Sequence, residues 1–344
     1  MINLFCQNLN NIYFDKAKNF FKNDIWVNGK IVNNFEKNFE KKFKLNLKAV
    51  GCNSGSDALL IALLLDKNKK RDIYLTTPLS YIASSSIAKF LNLNLIYLDI
   101  YKDNYLLDLE NLEIFLKNCP KKIFKRIKGI INVELFGATN DLIRMRKIAK
   151  KYNLSLIGDC SQSIGSKFRG QSSINYYDYA VTSFYPTKLL SAYGDGGMIC
   201  VKKSLKQKAL LLKNNGHAIY NKDDCKILGI NSRLDSFQAY ILDKKLNDLN
   251  KILRRKNLFY NILRSNLPEE FKLPVFNRDL SSNNYIFSFY IKNSMTKKFL
   301  NYMKNNKIEC KIIYKKLLSE NKVLKPIMKT KLINSYKIKK NLVS

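Results

Sequence analysis

Hydrophobic residues recur along this chain in two rhythms. Short, nearly unbroken apolar runs lie at residues 72–76, 95–98, 127–133, 154–157 and 179–184. Runs of that length, bounded by polar and turn residues, read as strands buried on both faces. Between them come stretches with helical spacing: 57–65, 81–90, 109–117 behind the capping Asp108, and the lysine- and arginine-studded 141–152. Pro78 stops the first of those strands, and Tyr81 opens the helix that follows. Strand and helix alternate from residue 50 to 160, which predicts an α/β fold with a mostly parallel, doubly wound sheet.

Outside that alternation the pattern changes. Residues 10–44 read as helical and peripheral, with Phe35, Phe39 and Phe43 forming one apolar stripe that is a packing face. Asn28-Gly29 supplies a turn ahead of it. A helix over 205–213 ends at Asn214-Asn215-Gly216-His217, and a long helix is expected from 236 to about 263. Beyond it, 285–291 reads as a strand, 297–305 as a helix and 308–313 as another strand. Two domains follow from this: 1–240, a large domain with an N-terminal helical segment, and 241–344, a smaller C-terminal α/β domain that includes the linking helix.

The chain has 344 residues, 46% of them hydrophobic, enough for a large core and a smaller second one. Its balance of 61 Lys+Arg against 27 Asp+Glu, formally +34, raises the question of a nucleic-acid or anionic-membrane partner. The lysines, however, are scattered along the whole length beside abundant asparagine, isoleucine and tyrosine. That combination fits a coding bias better than a polyanion site, and no nucleic-acid-binding motif is present. Seven cysteines without a Cys-x-x-Cys pair, and a single histidine, His217, argue against a zinc site or a disulfide framework. No metal is expected. Reduced thiols, no recognisable signal peptide and no apolar run longer than 58–65 point to the cytoplasm.

The candidate chemistry lies at the ends of two strands. Residues 154–157 deliver Asp159, followed by Cys160-Ser161-Gln162-Ser163. Residues 179–184 end in Ser183-Phe184-Tyr185-Pro186-Thr187-Lys188. Open α/β sheets bind ligands outside the carboxyl ends of their strands. An acid and a lysine presented there suit a pyridine aldehyde cofactor. The amine condenses with the aldehyde, and the carboxylate keeps the ring nitrogen protonated. Asn53-Ser54-Gly55-Ser56 opens a helix, where free N–H groups suit a phosphate, although an ordinary N-cap explains the same residues.

Asp159-x-x-Gln162, Ser183-Phe-Tyr-Pro-x-Lys188, Gly194-Asp-Gly-Gly197 and Gly229-Ile-Asn231-Ser-Arg233-Leu-Asp235, preceded by Asn53-Ser-Gly-Ser56-Asp57-Ala58 and Thr77-Pro78-x-x-Tyr81, stand in one order. In that order they resemble the DegT/DnrJ/StrS sugar aminotransferases, from residue 28 to about 314. The resemblance implies the fold type I architecture of pyridoxal 5′-phosphate enzymes. It implies Lys188 as cofactor anchor and general base, Asp159 on the pyridine nitrogen, Gln162 on the phenolic oxygen and Tyr81 over the ring. Gly55, Ser56 and Ser183 would hold the phosphate, with Asn231 reaching it from the other subunit of a homodimer with shared sites. The implied reaction is transamination of a nucleotide-diphosphate-linked keto sugar with glutamate as donor, giving an amino sugar for surface polysaccharide or a related glycan.

Arg233 is a candidate for an anionic group of the substrate or for a structural salt bridge with Asp235 or another acid. Glu134 stands where many members carry histidine, and Tyr314 lies in a segment that departs from the family's wording; both are candidates near the sugar. The reversed Gly216-His217 pair carries no role over. Leu342-Val343-Ser344 resembles the start of the family's Leu-Ser-Leu-Pro segment, so the small domain is expected to be truncated, lacking its last helix. A non-catalytic regulatory or polyanion-binding protein on the same fold remains the alternative.

Overall fold

The computed structural model describes residues 26–66, 69–218, 221–276 and 278–344. Of the helical segment expected over 10–44, residues 10–25 lie outside the described residues; the rest contains a helix, Lys30–Lys42. A seven-stranded sheet organises the molecule. Its strands are β1 (Lys48–Cys52), β2 (Ile73–Thr76), β3 (Asn94–Tyr97), β4 (Ile127–Val133), β5 (Ser155–Asp159), β8 (Tyr179–Ser183) and β9 (Gly197–Val201), in the order β1-β9-β8-β5-β4-β2-β3. Strands β2, β3, β4, β5 and β8 are parallel to their neighbours within that group, while β9 runs antiparallel to both β8 and β1. The alternation read from residues 50–160 is therefore borne out.

Both faces of the sheet are covered, which is why its strands are apolar without alternation. On one face the Gly55–Leu65 helix is apolar nearly all round, and Ala58, Leu59, Ile61, Ala62, Leu63 and Leu65 are buried in one cluster. On the other face Phe35 and Phe39 have no exposed area and meet Phe184 edge-on, with centroids 5.6 and 6.1 Å away. Phe43 is partly buried against the same core, so the aromatic stripe is the packing face expected. Burying two such rings contributes about 1.5–3 kcal/mol each. Glu36 from the same helix is also buried. It accepts the Gly51 N–H at 2.8 Å, and Lys213 Nζ lies 3.7 Å from it while donating to Gly51 O at 2.7 Å.

At the other edge of the sheet, β3 is covered by chain from near the C-terminus. Ile327 N–H donates to Leu95 O at 3.0 Å, Tyr97 Oη to Leu324 O at 3.2 Å, and Thr330 Oγ1 to Tyr97 O. Leu318, Leu324 and Leu332 join the core that holds the Gly55–Leu65 helix. Just past β3, the Asp99 carboxylate accepts from Asn334 N–H (2.8 Å), Ser335 N–H (2.9 Å) and Ser335 Oγ (2.6 Å). It thereby caps the short Ile333–Ile338 helix, whose own first residue offers no side-chain cap. Chain beyond residue 240 thus packs on the large sheet itself.

The long helix runs from Ser236 to Ser265 with Asp235 as its N-cap, and its first half is buried through Ala239, Leu242, Lys245, Leu246 and Leu249. Smaller sheets complete the molecule. β6 (Lys167–Phe168) pairs with β7 (Gln171–Ser172) and with β12 (Leu280–Ser281), and β10 (His217–Ala218) pairs with β11 (Asn221–Cys225). β13 (Phe289–Tyr290) pairs with β14 (Leu342–Val343). The strand expected over 285–291 is only Phe289–Tyr290, because Tyr285 and Ile286 turn instead into an apolar cluster with Leu79 and Phe136. The strand expected over 308–313 reduces to a single bridge, Ile312 to Val343, and the helix between them begins early, at Asn293.

Candidate active site

Three neighbouring strand ends face the same way. Val133 pairs with Asp159 in the register of β4 and β5, Asp159 pairs with Val181 across β5 and β8, and Ser183 closes β8 opposite Gly197. The first turn of the Gly55–Leu65 helix abuts that corner so closely that a Cβ on Gly55 would lie 2.7 Å from the Ser183 Cβ. A Cβ on Gly197 would meet the Ser54 carbonyl carbon at 2.2 Å. Both positions therefore require glycine, and neither contact was visible in the sequence. Ser54 Oγ caps the helix by accepting the Asp57 N–H at 3.1 Å, and the first backbone bond of the helix runs from Ala58 N–H to Ser54 O. Gly55 and Ser56 precede it, so their N–H groups have no acceptor within the helix. Ser54 is thus the N-cap, and the two N–H groups ahead of the first helical bond are left open to another acceptor.

Lys188 follows β8 across a short turn and is half-buried. Burial lowers its ammonium pKa below the ordinary lysine value, and the Asp159 carboxylate acts in the opposite direction. Its Nζ lies 5.1 Å from the centre of the Tyr285 ring. Asp159 Oδ1 accepts the Ser161 N–H at 3.1 Å, a contact that turns the chain toward Gln162. Gln162 is nearly buried. Its Oε1 accepts the Phe136 N–H at 2.8 Å, and its Nε2 donates to Tyr314 Oη at 3.0 Å. Tyr314 stacks on Phe136 with centroids 6.1 Å apart. Burial pushes the Tyr314 hydroxyl pKa far up, and Tyr285, Asp159 and Tyr81 add to the rise. Hydrogen bonds, ring contacts and charge interactions thus link Lys188, Asp159, Gln162, Tyr81, Tyr285 and Tyr314 into one group, in which Tyr81 is 64% exposed.

Two expected site residues have other neighbours. Glu134 is not available as a sugar contact. It has no exposed area, and both its oxygens are taken by the hydroxyls of Ser163, Ser173 and Tyr177. Arg233 does not pair with Asp235, whose carboxylate caps the long helix; its Nη1 lies 3.5 Å from Asn214 Oδ1, at the limit of a hydrogen bond. Asn231 is exposed and bridges Asn214 through its backbone. Its neighbour Ser232 is fully buried, donates to Asp57 Oδ2 at 2.8 Å and accepts the Asn53 N–H at 3.2 Å. The 231–235 segment therefore lies against residues 53–57 of its own chain, a proximity nothing local in the sequence announces. His217 sits in β10, its Nδ1 3.1 Å from Asn214 Nδ2.

Tyr285 and Lys245 were missed. Lys245 is 3% exposed on the long helix; its Nζ donates to Ser191 O (2.8 Å) and Ser191 Oγ (3.1 Å) and lies 4.2 Å from the Tyr193 ring centre. Burial lowers its pKa to about 8. The one signal available was a lysine set among Leu242, Leu246 and Leu249 on the helix's apolar face.

At the opposite end of the sheet, a cleft of about 600 Å³ is lined by Lys128, Arg146, Lys147, Lys150 and Asp178. Its bases cluster toward the end of the Leu142–Lys151 helix, where cations complement the dipole, and Arg146 is paired with Asp178 at 3.0 Å. Among the described residues no group of His, Cys, Asp and Glu could hold a metal, and no helix is long and apolar enough to cross a membrane.

The model of the DegT/DnrJ/EryC1/StrS aminotransferase family matches residues 8–344. A UDP-N-acetyl-3-dehydro-alpha-D-glucosamine 3-aminotransferase of Acidithiobacillus ferrooxidans is 34% identical over 195 residues, 56% of this chain and 50% of that protein. A pleiotropic regulatory protein of Geobacillus stearothermophilus is 33% identical over 203 residues, 59% of this chain and 52% of that one. The chain thus spans about half the length of these curated relatives. The crystal structure of a DegT DnrJ EryC1 StrS aminotransferase from Brucella abortus superposes with a TM-score of 0.89 at 24% identity, covering 97% of this chain and 88% of the other. That likeness establishes the fold.

Proposed function

The chain belongs to the DegT/DnrJ/EryC1/StrS aminotransferase family, and from that premise we propose that it transfers an amino group to a nucleotide-linked keto sugar with pyridoxal 5′-phosphate as cofactor. The observation that carries the reading is the amine of Lys188, its proton loosened by burial, within the field of the Asp159 carboxylate at the end of the adjacent strand. The residues present fit the cofactor by their chemistry: an amine, a carboxylate, and a helix start with free N–H groups beside Ser183. When bound, the cofactor supplies an aldehyde that carries the amino group and a ring that withdraws electrons.

The chain's own residues do the rest. Gly55, Ser56 and Ser183 would hold the phosphate at the positive end of the helix dipole. Asp159 would hold a proton on the ring nitrogen by a charge-assisted hydrogen bond. Gln162, its amide already fixed by Phe136 and Tyr314, would serve the ring's phenolic oxygen. Tyr81 would cover a ring face. Lys188 Nζ would anchor the cofactor and, once released, take and return the proton that moves during transfer, and burial lowers its pKa in the direction that role needs.

On this reading Asn231, exposed in the single chain, serves the phosphate site of a second copy and makes a homodimer with two shared sites. Glutamate is the proposed donor, and an amino sugar for a surface glycan the product. The names of relatives support both the sugar class and a regulatory alternative, and the alternative has no use for a reactive lysine. The test is the visible spectrum of the purified chain with pyridoxal phosphate. A band that forms, is lost on adding glutamate and returns with a nucleotide-linked keto sugar is expected. A spectrum unchanged by glutamate and every other amino donor overturns the enzyme reading.

A further inference from the structure

One buried residue beside Asp159 and Gln162 is built for more than filling space. Glu134 is fully buried, and hydroxyls serve its carboxyl group where a cation would be the usual partner. Ser163 Oγ and Ser173 Oγ (2.8 Å) donate to Oε2, and Tyr177 Oη donates to Oε1 at 2.7 Å. The direction at Tyr177 is fixed, because its oxygen already accepts from Asn132 Nδ2 at 2.8 Å. Asn132 Oδ1 in turn accepts from Asn140 Nδ2 at 3.2 Å. Burial raises the carboxyl pKa, and the hydroxyl donors oppose that rise. A buried acid is costly unless its bonds are complete, and these are arranged one behind another.

The network sits between the segments 134–136 and 159–163, the second of which carries Asp159 and Gln162. Glu134 N–H donates to Asp159 O at 3.1 Å, Ser163 Oγ donates to the Glu134 carboxylate, and Phe136 N–H donates to Gln162 Oε1 at 2.8 Å. These three ties cross-brace residues 134–136 against 159–163. They also hold Phe136 at φ 55°, followed by Gly137 at φ 90°. A bulky residue in the left-handed region costs about 1–3 kcal/mol and persists only where its surroundings insist on it. What the strained turn delivers is the Phe136 N–H to Gln162 and the Phe136 ring to Tyr314.

We propose that Glu134 is a positioning residue: through Ser163 and the left-handed turn at Phe136 it fixes how Gln162 and Asp159 are set relative to Lys188. The proposal builds on the reading of these residues as the cofactor site, and its test separates the two. Glu134→Ala and Ser163→Ala are made in the full chain, with Glu134→Gln as the conservative variant that still offers Ser163 an oxygen. Amide exchange at Phe136 is measured without ligand, and the pH midpoint of the visible band is measured with pyridoxal phosphate bound.

Loss of the brace raises the Phe136 exchange about tenfold or more. A displaced Asp159 changes the charge on the ring next to the lysine–cofactor linkage, so the midpoint moves by about half a unit or more. Glu134→Gln is expected nearer the parent in both readouts. If Glu134→Ala does not fold, Ser163→Ala decides, since it removes one hydroxyl only. Unchanged exchange and midpoint in the folded variants overturn the proposal. So does faster exchange with an unmoved midpoint, which makes Glu134 a structural brace and nothing more. A parent that forms no band fails the cofactor reading, and exchange on the ligand-free chain then decides the bracing role alone.

Discussion

Lys188 and Lys245 are both lysines whose pKa falls because burial takes their charge out of water, yet their surroundings differ in kind. Lys188 is half-buried and feels Asp159. Lys245 is shut in, its ammonium spent on Ser191 O, Ser191 Oγ and the face of Tyr193. The second is a peg that fastens the loop after Lys188 to the long helix. Burial alone therefore does not single out a candidate reactive amine. A carboxylate within range and the greater exposure are what distinguish the two.

The sharpest way to break that contrast is to remove the amine. Lys188→Ala is expected to abolish the visible band and all amino transfer while the melting temperature stays near the parent's; transfer at the parental rate would sink the assignment. Next comes the carboxylate. Asp159→Asn should retain the band but slow transfer by roughly two orders of magnitude, measured as single-turnover loss of the band with glutamate.

The peg predicts a stability effect instead. A folded-state pKa of about 8, below the unfolded lysine value near 10.4, means the unfolded chain binds more protons between those limits. The cost of burying the charge is fully present below about pH 8 and fades as pH rises toward 10. Parent stability should therefore gain on Lys245→Met over that window, by on the order of 2 kcal/mol in denaturant titrations at pH 7.5 and 10. A constant difference would mean that Lys245 does not titrate there. The smallest effect is expected from Tyr314→Phe. It removes one hydrogen bond from Gln162, worth about 1 kcal/mol, so kcat with glutamate should drop only severalfold.

The same contrast explains what could be read from the sequence. Lys188, Asp159 and the helix start at Ser54 lie at the ends of apolar runs, and local periodicity finds such ends. The strands β2, β3, β4, β5 and β8 were legible for the same reason. Tyr285 and Ser232 come to the group through long-range packing, and nothing in their neighbours signals it, while Tyr314 was a candidate only through the family resemblance. Glu134 misled because its position suggested a pocket wall, whereas three hydroxyls distant in sequence draw it inward. The strands expected over 285–291 and 308–313 failed because their apolar residues go to two local clusters, one with Leu79 and Phe136 and one around Phe289 and Val343, more than to pairing.

The way residues 318–335 lie along β3 carries a consequence for synthesis. A chain emerging from the ribosome makes β3 more than two hundred residues before the segment that covers it. Through that interval the strand's outer backbone groups and the Asp99 carboxylate have no protein partner, and an uncovered edge is a template for pairing with another chain. The sheet can collapse early, but its last strand is sealed only when nearly the whole chain is out. Closing so long a loop is slow. Truncation before residue 335 should therefore be felt first as aggregation during expression, before any loss at the chemistry.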